Sequence, residues 1–124
     1  MILIYYAENG NGIGERLLKA INATVPEERT EVYRSLERLS QRLRRPTYNL
    51  KGAVLLTTNR AELSGIISLR DMFSNVRIIL ILPDRDKDTI SEGLKLHPRF
   101  LTDTDSNFKD VAAVLEKMMG DLSQ

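Results

Sequence analysis

Apolar runs of strand length alternate with stretches of helical apolar spacing along the whole chain, and this alternation restricts the fold more than any other feature. Ile2 to Tyr6, Ala53 to Leu56, Val76 to Leu82 and the shorter Phe100 to Leu101 read as strands. After Arg77 five aliphatic residues follow without interruption, the pattern of a central parallel strand covered on both faces. Arg29 to Arg34 alternates instead, which suits a short, half-exposed edge strand. Between the strands, Ile13, Leu17, Leu18 and Ile21 recur at helical spacing, and Ser35 is placed to cap a helix carrying Leu36, Leu39 and Leu43 that stops before Arg45-Pro46. Asn59 and Glu62 have the spacing of a capping box ahead of Leu63, Ile66, Ile67, Leu69 and Phe73. Asp84, Asp86 and Asp88 crowd the start of a thinly apolar helix with Ile90 and Leu94, and Val111, Val114, Leu115 and Met118 mark a last helix closed by Gly120. Five strands and five helices in alternation imply an α/β, three-layer doubly wound sandwich with a five-stranded parallel sheet, most economically in the order 2-1-3-4-5.

A chain of 124 residues is the size of one compact domain, so residues 1–124 are expected to fold as a unit. No segment approaches the roughly 20 apolar residues of a membrane span, and the apolar run at the start lacks a basic leader, so no membrane association or secretion is expected. With no cysteine and a single histidine, thiolate and imidazole metal sites are short of ligands, and the composition fits the cytoplasm. A net charge of +1 supplies no global field toward nucleic acid, which is therefore not an expected partner.

In open α/β sheets ligands sit beyond the carboxyl ends of the strands. Here those positions are Tyr6 and Ala7, Thr57 and Thr58, and Leu82 and Pro83, a poor set of catalysts. Thr57, Thr58 and Ser64 have no histidine or lysine close in sequence to activate them, so no catalytic residues and no enzyme activity are expected. The loop Asn9, Gly10, Asn11, Gly12 and Gly14 lies between a buried strand and a helix start, where backbone amides can cradle an anion. Glu15 stands where a dinucleotide fingerprint needs its third glycine, no P-loop lysine follows, and no tryptophan is present to stack on flavin, so no cofactor is expected. Two readings follow for this loop: a phosphate- or nucleotide-type ligand site, or a tight turn in which Asn and Gly permit positive φ.

Arg34, Arg38, Arg42 and Arg45 recur along the second helix at spacings that put them on one face, expected as a solvated surface because no aromatic residues interleave with them. His97 beside Pro98 reads as a capping residue, and strand alternation sends Tyr5 and Tyr6 to opposite faces.

The opening Ile2-Leu3-Ile4-Tyr5-Tyr6-Ala7-Glu8-Asn9 resembles that of response-regulator receiver domains, as does the overall length and the run Ala53-Val54-Leu55-Leu56. The resemblance implies a flavodoxin-like topology. It also locates the family's chemistry: the acidic Mg²⁺ ligands fall on Tyr6 and Ala7, the phosphoacceptor aspartate on Thr57, the switch Ser or Thr on Leu82 or Ile81, and the lysine near Asp103. Each departs from the pattern, so the resemblance implies a non-phosphorylatable pseudo-receiver acting by protein contact. By the same resemblance the partner surface, or the interface with a second copy of the chain, involves Ile90, Leu94, Phe100, Phe108 and Val111.

Overall fold

The computed structural model of the chain describes residues 2–9 and 12–120. The elements run β1 (Ile2–Tyr6), α1 (Ile13–Asn22), β2 (Thr30–Tyr33), α2 (Leu36–Arg44), β3 (Leu50–Leu56), α3 (Arg60–Ile67), β4 (Arg77–Leu82), α4 (Lys87–Gly93), β5 (Phe100–Asp103) and α5 (Lys109–Gly120). All strand pairs are parallel and the order is β2-β1-β3-β4-β5, a flavodoxin-like sheet with the strand order reversing between β1 and β3. No helix among the described residues is long and apolar enough to cross a membrane.

Alternation along the strands divides the interior in two. Leu3, Tyr5, Val54, Leu56, Ile79 and Ile81 face α1 and α5, where they meet Leu17, Ile21, Val111, Leu115 and Met118. Ile4, Tyr6, Leu55, Ile78 and Leu80 face the other way, against Leu39 and Leu43 of α2 and Leu63 and Ile66 of α3. Tyr5 and Tyr6 thus occupy opposite faces as their positions in the strand require, and both are buried.

The local signals at helix starts take the form the sequence implies. Ser35 accepts the Arg38 amide, and Asn59 accepts the Glu62 amide at 2.9 Å. Glu62 reaches back past Asn59 and takes the Thr58 amide at 2.9 Å, a box shifted outward by one residue.

Two boundaries and one buried face differ from the apolar pattern. β3 begins at Leu50, three residues before the apolar run, because Gly52 still pairs with Leu3 and Arg77; its missing side chain leaves room for the Arg77 carbonyl and Met118. α3 ends at Ile67, and Phe73 enters the core from a 3₁₀ turn over Arg70–Phe73. On α4 the buried positions are Thr89 and Gly93, with Ile90 half-buried and Leu94 53% exposed. Gly93 explains this: a Cβ there would stand 2.9 Å from a Leu82 methyl and 3.1 Å from a Leu80 methyl, so the helix backbone itself packs on β4.

After α4 a 3₁₀ turn over Leu94–Leu96 ends at His97, whose φ of 50° and ψ of 53° place it in the left-handed region. Its amide bonds the Leu94 carbonyl at 3.0 Å and its side chain is exposed, so the residue caps the turn through its backbone alone. A non-glycine residue pays a steric cost there, partly offset by the lower freedom of its unfolded chain. His97→Gly is therefore expected to raise stability by about 0.5–1 kcal/mol, read as a higher urea midpoint at unchanged m. A lower midpoint would mean that the imidazole makes a contribution of its own.

Candidate functional site

The carboxyl ends of the strands meet along one rim of the sheet, and there the side chains bond mainly to the protein itself. Thr57 is fully buried; its amide and its hydroxyl both donate to the Ile81 carbonyl, at 3.0 and 2.7 Å. The hydroxyl is thereby held on the neighbouring strand. Tyr6 donates to Glu8 Oε1 at 3.1 Å, and burial followed by the Glu8 carboxylate pushes its phenol far above the ordinary range. Ala7 gives its amide to the Tyr33 carbonyl, Leu82 is buried, and the Leu82 carbonyl accepts the Thr104 amide. Asp103 ends β5 and is buried, taking Arg85 Nε at 2.5 Å on one oxygen and the Asp105 amide at 2.9 Å on the other.

Three arginines tie neighbouring segments together across this rim. Arg34 donates to the Ala7 carbonyl at 3.2 Å, Arg60 pairs with Asp86 at 3.0 Å, and Arg85 pairs with Asp103. The exposed Arg60–Asp86 pair contributes only about 0.2–1 kcal/mol, so its effect is mainly on position. The three arginines join the end of β1 to the loop after β2, the start of α3 to the loop after β4, and that loop to the end of β5. Among the described residues no cluster of three or more His, Cys, Asp or Glu side chains is arranged to hold a metal ion.

The loop after β1 is likewise engaged. Of its proposed ligand residues, Gly10 and Asn11 lie outside the described residues. Gly12 has a φ of 55°, the positive value expected of a tight βα turn. The Tyr5 hydroxyl crosses beneath the loop to the Gly14 carbonyl at 2.6 Å, and burial raises its pKa to about 12. The Asn9 carbonyl packs directly on Gly14, in the space a Cβ would need.

Arg38, Arg42 and Arg45 come together, but the solvated face expected from spacing is corrected at two residues, since Arg34 reaches the Ala7 carbonyl instead and Arg42 is buried. Arg34 precedes α2, and Arg45 follows it with extended backbone at φ −80° and ψ 162°, so helical periodicity spans neither end of the set. Arg42 is only 5% exposed and all three of its guanidinium nitrogens are used: Nε on Glu31 at 2.7 Å, Nη1 on the Pro46 carbonyl at 3.3 Å and Nη2 on Asn49 at 3.4 Å. Partial burial acts to raise the Glu31 pKa, but hydrogen bonds from Tyr33 and Arg42 outweigh it and hold the carboxyl below its ordinary value.

The expected partner surface also needs correction at two residues. Phe108 and Val111 are 1% and 0% exposed and belong to the core beneath α5. Phe108 turns inward because its backbone is left-handed, at a φ of 63°, and its ring lies under Arg16, whose Cζ is 5.2 Å from the ring centre. Ile90, Leu94 and Phe100 keep at least partial exposure around the β5 edge.

Sequence reasoning did not single out Arg60 or Arg85. The signal available was position: each follows a strand within a few residues, Arg60 at the start of α3 and Arg85 in the loop after β4. No protein-family model matches the chain, and no curated protein or solved structure matches it.

Two substitutions test this description. Gly14→Ala is expected to cost about 1–3 kcal/mol by forcing the Asn9 carbonyl away; an unchanged urea midpoint would show that the loop yields freely. Arg42→Ala is expected to cost about 2–3 kcal/mol, because it leaves Glu31 without its buried cation. The depressed Glu31 pKa contributes stability that is present above its unfolded value near 4.5 and is lost as pH falls through the lower folded value. The gap between wild type and Arg42→Ala should therefore be flat above that pH and narrow below it; a gap independent of pH would remove Glu31 from the account.

Proposed function

We propose that the chain is a pseudo-receiver: a single receiver-like domain of the cytoplasm that signals by protein contact and undergoes no phosphorylation. The observation carrying this reading is Thr57, at the position where the resemblance expects the phosphoacceptor, buried with its hydroxyl donated to Ile81. Transfer of a phosphoryl group to a carboxylate needs the nucleophile, a cation on the phosphoryl oxygens and a second positive group. Tyr6 and Ala7 offer no carboxylate for the cation, and Asp103 replaces the positive group with a carboxylate that Arg85 neutralises. Four departures at one site favour a domain whose rim is fixed in one arrangement.

The flavodoxin-like sheet supports the reading, since its strand order is the one the resemblance implies. Contact with a partner protein, or with a second copy of the chain, then falls to the exposed side around β5, where Leu94 is the most exposed large apolar side chain and Ile90 and Phe100 lie partly open. A ligand in the loop after β1 is less favoured, because Tyr5 and Asn9 already engage Gly14.

Incubation with acetyl phosphate and Mg²⁺ followed by intact-mass measurement tests the proposal. The mass is expected to stay that of the unmodified chain, with the amide resonances of Thr57 and Thr58 unmoved by Mg²⁺ and beryllium fluoride. A gain of one phosphoryl unit would overturn it.

A further inference from the structure

Of five concavities that open among the described residues, four have at least one carboxylate in their lining: Asp71, Asp84 with Asp103, Glu27, and Asp88 with Glu92. The fifth has none. It lies between β2 and α2, encloses about 280 Å³ and is lined by Tyr33, Arg38, Gln41, Arg42 and Arg45.

We propose that this concavity binds the dianionic phosphate of a small phosphorylated molecule. Arg42 forms a fixed base, since its guanidinium is held by Glu31, Pro46 and Asn49. Arg38 and Arg45 stand exposed at the sides, and the guanidinium group of neither is hydrogen bonded or ion-paired to another described residue. The Arg45 charge helps hold the Glu31 carboxyl low from a distance. Glu31 pairs with Arg42, which leaves the charges of Arg38 and Arg45 in the lining to match a phosphate dianion.

The ends of α2 explain how the arginines converge. Arg38 and Arg42 are one helical turn apart, and the extended backbone at Arg45 turns the chain back beside them before Pro46. Arg42 cannot retreat from the site without uncovering Glu31, so the cost of holding its charge in place is met when the domain folds. A phosphate alone would leave part of the space empty. The half-buried Tyr33 ring and the Gln41 amide offer an apolar wall and a polar contact to a small organic body. A nucleic-acid backbone is a poorer fit, because the positive charge is gathered in one hollow and the chain carries a net charge of only +1. The site lies at the β2 edge, opposite the β5 edge, and does not depend on the pseudo-receiver reading.

The test is an amide NMR titration of the whole chain with inorganic phosphate, ribose 5-phosphate and a short DNA duplex, at ionic strength held constant with sodium chloride. Saturable shifts are expected for phosphate and ribose 5-phosphate at Tyr33, Arg38, Gln41, Arg42 and Arg45, with Thr57 unmoved. The double variant R38A/R45A, altered only at exposed side chains, should weaken binding about tenfold or more while the rest of its spectrum is retained. Tighter binding of ribose 5-phosphate identifies a phosphomonoester as the ligand; equal binding identifies free phosphate. Shifts that do not saturate, shifts reproduced by chloride, affinity unchanged in R38A/R45A, or a duplex binding more tightly than ribose 5-phosphate would each overturn the proposal.

Discussion

Covering both faces of the sheet with helices is the constraint on which the rest of this molecule depends. β1, β3 and β4 are inner strands, so nearly every side chain they carry is removed from water, and apolar residues must fill both phases of the alternation. At roughly 1.5–3 kcal/mol for each large apolar side chain buried, this term dominates any set of surface ion pairs. It also confines polar chemistry to the strand ends, where the apolar requirement lapses. Thr57 shows the transition: it is the first polar residue after β3, still fully buried, and it satisfies its hydroxyl on the next strand.

Beyond the strand ends the loops are joined by arginines whose partners lie in neighbouring βα units. The exposed Arg60–Asp86 pair is weak, yet Arg60, Arg85 and Arg34 link successive loops along the sheet, which limits how far one can move alone. Arg42 behaves differently. Withdrawn from water and hydrogen bonded through each of its three guanidinium nitrogens, it acts as a structural member that joins β2, the end of α2 and the loop before β3. The same residue type therefore serves as an exposed tie on the rim and as a buried clamp at the edge, and exposure separates the two roles.

Much of the architecture was legible in the chain because it rests on local or periodic signals. The aliphatic run of β4 announced a central strand, and Ser35 and Asn59 announced their helices through caps that need only residues within one turn. What escaped depended on tertiary neighbours. The apolar run starts at Ala53, yet β3 starts at Leu50, and Gly52 pairs in the ladder where Arg77 and Met118 approach the space a side chain would take. The resemblance alone places Phe108 on the partner surface, whereas it sits in the core with a left-handed backbone just ahead of α5. At the rim, identities at Tyr6, Ala7, Thr57, Leu82 and Asp103 could be read, but not their bonds, since Arg60 and Arg85 find partners 26 and 18 residues away. The basic hollow was hidden for a related reason: spacing described a regular helix face, while the fold withdrew one arginine and swung another past the helix end.

The two outer strands differ from the inner ones in length. β2 and β5 have four residues each, against six in β4 and seven in β3. Each rim of the sheet therefore presents only a short row of unpaired backbone groups as a template for another chain. A sheet built this way keeps its most apolar, most β-prone sequence in the middle and shows its least adhesive segments to the solution. The chain should accordingly tolerate crowding without seeding fibrils, with its solubility set by where the fold places its strands more than by its overall charge.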